Sequence, residues 1–447
     1  MTRCLLLLSC CAGLVGCATS NRDRAWIGRE FLERTGAGGC PQSPGTSPAV
    51  ALEDGLDEGE VVATALCRNP ALRAELTRID AALATLDEAR RPANPQLSLM
   101  APFGPITAVA TLLVPLESLW QMPRRTEVAA READAAGEAV LMRALDVVRD
   151  ARLLHIELGL AFDRATVRAE LAQVAADVAR LAAVRVKVGD ISPLEERVLS
   201  ADARTSADAL DLAETEKVMA QARLVATLAL DDAGVPAQPR FSSPPAQTLP
   251  LTSLIGVARA ARPDARSAAL AISAATARAG WERSRIVNLG ALVETQWSQP
   301  AGPALRLGGR LDLPIFNQNQ GGTGRADAEV ERVVAQHELV ARTVVMEVTV
   351  ALARLEQATR SRRRFEVEVL PALEDALAQA RHGFETGDQP YLVVLDVLRR
   401  VGEARLRRAE LLAEQRRALC ELERALGARL QSATDVASRV GAEQGDR

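Results

Sequence analysis

Few side chains in this 447-residue sequence are typed and spaced for chemistry, and those few do not cluster. His155, His337 and His382 stand far apart, and neither an H-E-x-x-H pair nor a G-x-x-x-x-G-K-[ST] loop occurs. Gly321-Gly322-Thr323-Gly324 lacks the lysine that a phosphate-binding loop requires. No enzyme is expected, and no catalytic residue, metal ligand or cofactor is assigned. Covalent chemistry is expected at one cysteine only. Met1 to Gly16 has a basic start at Arg3 and an apolar core around Leu5-Leu6-Leu7-Leu8, too short to span a membrane, and so reads as a cleaved signal peptide. It closes on Leu14-Val15-Gly16-Cys17, which resembles a lipobox; the Cys17 sulfur is then the lipid attachment point and Cys17 the new N-terminus. Leu7-Leu8-Ser9-Cys10 is a weaker competitor that leaves almost no apolar core, and an ordinary signal peptide with an incidental cysteine is the alternative. Of seven cysteines, Cys4, Cys10 and Cys11 leave with the signal and Cys40, Cys67 and Cys420 remain, an odd and scattered set without C-x-x-C spacing that reads as buried or incidental thiols.

What remains to be explained is why the chain is 48% hydrophobic. No stretch after residue 17 approaches the eighteen or so consecutive apolar residues of a transmembrane helix, so a membrane could be crossed only with strands. The net charge of −4 gives no nucleic-acid signal. The stretch from Asn288 to Phe316 supplies a β-hairpin. Leu305, Leu307, Leu311 and Leu313 fall on one side and Arg306, Arg310 and Asp312 on the other, while Ala291, Val293, Thr295 and Trp297 alternate with Glu294, Gln296 and Ser298. Pro300-Ala301-Gly302-Pro303 is the expected turn. Each strand is roughly ten residues long, within the ~9–11 that a tilted strand needs to cross a bilayer. The reading is a piece of membrane barrel, apolar towards lipid and polar towards a lumen lined by Glu294, Gln296, Arg306, Arg310 and Asp312. An ordinary half-buried hairpin is the alternative for one hairpin alone, but a second, less regular one is expected at Gln96 to Met100 and Ile106 to Leu116, across Pro102-Phe103-Gly104-Pro105.

The elements around the hairpins repeat. Residues 1–16 form the signal and 17–50, rich in Gly, Pro, Ser and Thr, a lipid-anchored flexible tether. A first repeat covers 51–235: a helix from about Leu52 to Arg90 broken or bent near Asn69-Pro70, the first hairpin, and a helix from after Pro123 to about Val188. That last helix, about 100 Å long at 1.5 Å per residue, must lie along partners. Val167, Leu171, Val174, Val178 and Leu181 form its heptad seam. Val188-Gly189-Asp190-Ile191-Ser192-Pro193 turns it into a returning helix to about Leu230. After a Pro-rich linker at 236–250, the plan recurs over 251–430, with a long helix to about Phe384, a tip at Gly387-Asp388, and Leu412, Leu419 and Leu426 spaced by seven in the last helix. Gly387, Asp388, Leu392 and Leu426 stand 198 positions after Gly189, Asp190, Leu194 and Leu228. Residues 431–447 form a polar tail.

With these elements in place, roughly residues 50 to 430 resemble the TolC family of outer-membrane efflux proteins. The resemblance is carried by Asn69-Pro70-Ala71-Leu72-Arg73-Ala74, by Leu313-Pro314-Ile315-Phe316-Asn317-Gln318-Asn319-Gln320-Gly321, and by the run from Leu370-Pro371 through Gly387-Asp388 to Leu426-Gly427. The lipobox and the Leu-Pro-Ile-Phe-Asn stretch are similar to the lipoprotein branch that serves pumps of the resistance-nodulation-division type. The resemblance implies a mainly α fold with a membrane β-barrel part, in which two β-hairpins per protomer give four strands to a trimeric twelve-stranded barrel, continued by long coiled-coil helices as a periplasmic tunnel. Four strands cannot close, and lipid does not tolerate an open edge, so several copies are required on physical grounds too. By resemblance, Arg185, Gly189, Asp190 and Ser192, with Arg381, Gly387, Asp388 and Gln389, lie at the periplasmic mouth, gating it and docking an adaptor. Alternatively, Gly189 and Gly387 simply end helices and Asp190 and Asp388 begin the next ones. Ala18 after Cys17 goes with delivery to the outer membrane. The implied partners are two further copies, a periplasmic adaptor (membrane fusion protein), an inner-membrane pump and outer-membrane lipid, with no nucleic acid. The expected function is a passive duct for small molecules or metal ions; a duct for type I protein secretion and a soluble coiled-coil adaptor or scaffold are the rivals. Aromatic residues are scarce, leaving Phe103, Trp120, Trp297 and Phe316 as membrane-interface anchors. Arg362-Arg363-Arg364 reads as a solvated helix face.

Overall fold

The structure, a computed structural model, describes residues 20, 22–36, 55–101, 106–230, 238–241, 249–298, 300–386, 388–389 and 391–430. Two compact units emerge, one from residues 1–27, 74–142 and 263–343, the other from 28–73, 143–262 and 344–447.

The first unit holds one four-stranded antiparallel sheet in the order β1 (Gln96–Met100), β2 (Ile106–Pro115), β3 (Asn288–Ser298) and β4 (Gly302–Asp312). Both expected hairpins are present, and β2 pairs with β3 from Pro115↔Gly290 to Ile106↔Ser298, joining them into one meander. The second turn is tighter than expected: β4 begins at Gly302, whose φ of 81° needs a residue without a Cβ. Helices α3 (Pro70–Ala89) and α7 (Pro263–Ser284) lead into the hairpins. Helix α4 (Glu117–Lys187) leaves β2 and α8 (Gln320–Arg364) leaves β4. The exit of the first hairpin differs from expectation, because α4 starts at Glu117 and includes Pro123, where it forgoes a single backbone bond.

The second unit is built from helices. In α2 (Glu58–Arg68), Asp57 accepts from Gly59 N while Glu60 reaches back to Asp57 N at 2.9 Å, so this helix starts at Glu58; Leu52, the expected start, lies outside the described residues. The expected interruption follows: Asn69 Oδ1 accepts the Ala71 and Leu72 N–H groups at 3.0 and 3.1 Å, and Pro70 opens α3. Its counterpart is α6 (Leu251–Ala261) ending before Pro263. The returning helices α5 (Pro193–Leu228) and α10 (Tyr391–Leu426) are both 36 residues long and correspond residue for residue at the 198 offset. Between α8 and α9 (Leu370–Glu385), a π-helical turn at Phe365–Val369 interrupts the α pattern. Leu370 N bonds Phe365 O there, and Pro371, lacking an N–H, cannot restore the α register.

Three expectations are corrected. The heptad seam of α4 gives out at its tip end: Val178 is buried and Val167, Leu171 and Val174 are half-buried, but Leu181 is 46% exposed, and Ala161, Ala165, Ala172 and Ala182 are buried as well. Small side chains let α10 approach, and at Gly402 an added Cβ would meet Leu171 Cδ2 at 2.5 Å. The 17–50 segment is not all tether, since Arg24–Thr35 forms α1. Ile27 and Phe31, four residues apart, are buried, and Arg34 donates to the Ala261 and Gly427 carbonyls at 2.6 and 2.9 Å. Nor is 236–250 only a linker. Arg240 N bonds Leu56 O at 3.0 Å, and the Phe241 ring lies over Gly159, where a Cβ would come within 2.5 Å of it.

Candidate functional site

The sheet separates its side chains by parity, because residues directly opposed across antiparallel strands share a face. One face carries Leu97 and Leu99 of β1, Leu112 of β2, Trp297 of β3, and Leu305, Leu307 and Leu311 of β4. All seven are exposed in the protomer, Leu307 at 78%. Leaving large apolar side chains in water forgoes roughly 1.5–3 kcal/mol each, so this face is built for a non-aqueous neighbour. The opposite face carries Glu294, Gln296, Arg306, Arg310 and Asp312, so all five residues assigned to a lumen share one side. Glu294 and Arg306 are directly opposed at 3.5 Å, and Arg310 reaches Asp312 at 3.4 Å. The first hairpin is less polar there, placing Val109 and Leu113 beside Thr111. Among the described residues, the edge strands β1 and β4 have one neighbour each.

At the first tip, four expected residues come together. Gly189 has φ +79°, with Asp190 N bonding Arg185 O and Gly189 N bonding Val186 O, both at 3.0 Å, which is a Schellman closure of α4. The Arg185 side chain pairs with Asp190. Ser192 caps α5, accepting from Glu195 N at 3.2 Å while Glu195 reaches back to Ser192 N at 2.9 Å. At the second tip, Asp388 N bonds Gly383 O at 2.7 Å, the counterpart of the Asp190–Arg185 bond at the 198 offset. Asp388 accepts from Thr386 Oγ1 at 3.1 Å, and Gln389 lies over Gly383. The helix-ending reading of Gly189 therefore holds, while Asp190 and Asp388 close the preceding helices and do not begin the next. Arg381 is exposed on the last turn of α9. Gly387 and Cys17 lie outside the described residues, as do Cys40 and Phe103.

Sequence reading missed the exposed apolar residues flanking the first tip, Leu181 and Val184 on α4, Val188 just after it, and Leu194 and Val198 on α5. Their spacing of three and four was the available signal. It also missed an ionic interior in the second unit. Arg152 pairs with Glu58 and Glu423, both at 2.5 Å, while Arg262, with its side chain 1% exposed, reaches Glu347 at 2.6 Å. Burial works against the Arg152 charge, but Glu423 and Glu58 outweigh it and hold the guanidinium above its ordinary range. Burial pushes the Cys420 thiol up to about 12, so it stays protonated and inert. His155 is fully buried, bonds Leu56 O at 2.9 Å and packs against Phe241 with ring centroids 4.6 Å apart and planes tilted by 48°; burial lowers its pKa. No group of three or more metal-ligating side chains occurs among the described residues, and none of their helices is long and apolar enough to cross a membrane.

Residues 254–428 match the sequence profile of the family described as outer membrane efflux protein. The cobalt-zinc-cadmium resistance protein CzcC of Cupriavidus metallidurans is 27% identical over 372 residues, covering 80% of this chain and 86% of CzcC. Among solved structures, CusC aligns over 83% of this chain and 92% of its own, with a TM-score of 0.67 and 18% identity. The Campylobacter jejuni CmeC outer membrane channel aligns over 85% and 89%, with a TM-score of 0.71 and 14% identity.

Proposed function

We propose that this chain is a TolC-like outer-membrane efflux protein, the passive outer-membrane duct of a tripartite efflux system, a reading supported by the profile match over residues 254–428 and the likeness to CzcC. Three copies close their four-stranded sheets into one twelve-stranded barrel, β4 of each protomer pairing with β1 of the next. The observation that carries this is the seven exposed apolar side chains on one sheet face, set against five charged or amide side chains on the other. In water such a sheet is unfavourable on one face and open at both edges; closed in lipid, it satisfies both. The helical tips then form the periplasmic mouth. Arg185, Gly189, Asp190, Ser192, Arg381, Gly387, Asp388 and Gln389 dock an adaptor's helical hairpin and set the aperture, and an inner-membrane pump of the resistance-nodulation-division type supplies the energy. Cys17 carries the lipid anchor.

The likeness to CzcC favours divalent transition-metal cations as cargo. The wall residues Glu294, Arg306, Arg310 and Asp312 are two acids and two arginines that pair with each other, which suits passage of ions without retention. Selection then rests with the pump. Deleting the gene in its native host should lower tolerance to cobalt, zinc and cadmium and raise cellular metal, both restored by the intact chain. Unchanged metal tolerance together with lost tolerance to organic drugs would replace the cargo and keep the duct.

A further inference from the structure

Where the sheet passes into the helices, the apolar face does not stop. Val287 of the β3 entry and Leu313 of the β4 exit keep the parity of Val293 and Leu307, and both are exposed. Leu119, Trp120, Ile315 and Phe316 at the same end are exposed as well, Phe316 at 93%. Six arginines lie in the same junctions, Arg90 and Arg91 before β1, Arg124 and Arg125 after β2, and Arg283 and Arg285 before β3. Three of these charges are answered by acids: Arg90 by Asp87, Arg283 by Asp327 and Arg285 by Glu282. The others are not so matched. Arg124 donates to the Gly280 carbonyl at 3.3 Å and Arg125 to those of Ala89 and Arg91 at 3.1 and 2.6 Å, bonds that leave both charges uncancelled. The Arg91 side chain is exposed.

We propose that this junction is a collar that binds the headgroups of anionic phospholipids, its apolar residues entering the acyl region and Arg91, Arg124 and Arg125 meeting the phosphates. The occupant follows from continuity with the apolar sheet face and from the sign of the uncancelled charge. Guanidinium groups match phosphate oxygens bidentately, and aromatic and apolar residues beside them suit the level at which headgroup meets chain. Because this end of the sheet joins the helices, the leaflet concerned is the one on the helical side. The inference rests on the membrane-barrel reading.

The test reconstitutes the full-length trimer into vesicles of phosphatidylcholine, with or without phosphatidylglycerol, and reads both insertion as an unboiled gel trimer and retention of phosphatidylglycerol through detergent extraction. The variant is Arg91→Gln with Arg124→Gln, which spares Arg125 and its two backbone bonds. Wild type should insert into both vesicles and retain phosphatidylglycerol preferentially, and the variant should insert equally but retain less, by about fivefold per arginine. Added salt should erode the wild-type preference. Equal retention by variant and wild type, or no preference in wild type, overturns the collar and leaves the barrel standing. Failure of wild type to insert into either vesicle sinks the membrane reading itself.

Discussion

Leu307→Arg places a charge at the centre of the apolar sheet face. Leu307 is the sixth of the eleven residues of β4 and stands opposite Val293, the sixth of the eleven in β3, so both lie midway along their strands. If the strands span a bilayer, position 307 is at its midplane, where an outward arginine costs roughly 2–4 kcal/mol, incurred three times in a trimer. If the hairpin lies in water, a leucine 78% exposed is replaced with an effect within about 0.5 kcal/mol. The two cases are far enough apart to resolve. The neighbouring Arg306→Gln is the control: it lies on the other face and loses a 3.5 Å ion pair with Glu294, worth under about 1 kcal/mol when exposed. Unboiled gel electrophoresis over a temperature series reads both. Leu307→Arg should abolish the trimer band or lower its melting sharply, and Arg306→Gln should leave it near wild type. A Leu307→Arg trimer that melts with wild type would refute the assignment of this face to lipid.

Other consequences are open to measurement. Gly159→Ala drives a Cβ to 2.5 Å from the Phe241 ring and should destabilise by about 1–3 kcal/mol in denaturant. Gly256→Ala, with nothing within 4 Å, should be neutral or gain roughly 0.5–1 kcal/mol. Burial lowers the His155 pKa below its ordinary 6.5, so the unfolded chain takes up a proton that the folded chain refuses. Its contribution is complete above that ordinary value and is lost as pH falls towards the depressed one. His155→Gln should therefore flatten that part of the stability profile between about pH 7.5 and about pH 5.5, and an unaltered slope would exclude His155 as its source. At the tip, Gly189→Trp meets no atom within 4 Å but forces a side chain onto φ +79°. It should abolish export while trimers still form, and a fully active variant would count against adaptor docking there.

The repeat was legible because punctuation repeats with it. Pro70 and Pro263 each open a helix, and Gly189-Asp190 returns 198 positions later. The sheet faces were legible in β3 and β4 from strict alternation, and less so in β2, where Val109 and Leu113 fall on the polar side. Helix α1 was hidden because its apolar burial rests on Ile27 and Phe31 alone, while Leu32 stays exposed and the Arg34 bonds to the Ala261 and Gly427 carbonyls cannot be read from sequence. Phe241 sat in a proline-rich segment whose composition said linker, yet its meaning depends on Gly159, 82 positions earlier. Such a pairing is visible only once the chain is folded. The ionic interior was concealed likewise, since Arg152 and Glu423 look solvated one at a time and are buried together.

The most direct measurement is membrane fractionation of the expressed protein, read by unboiled gel electrophoresis, for wild type and Cys17→Ala. Wild type should appear in the outer membrane as an SDS-resistant trimer, and Cys17→Ala should lose its acyl group while keeping the barrel. A soluble, monomeric wild-type protein in the periplasm would mean that the four strands are not barrel strands, and would contradict the duct outright.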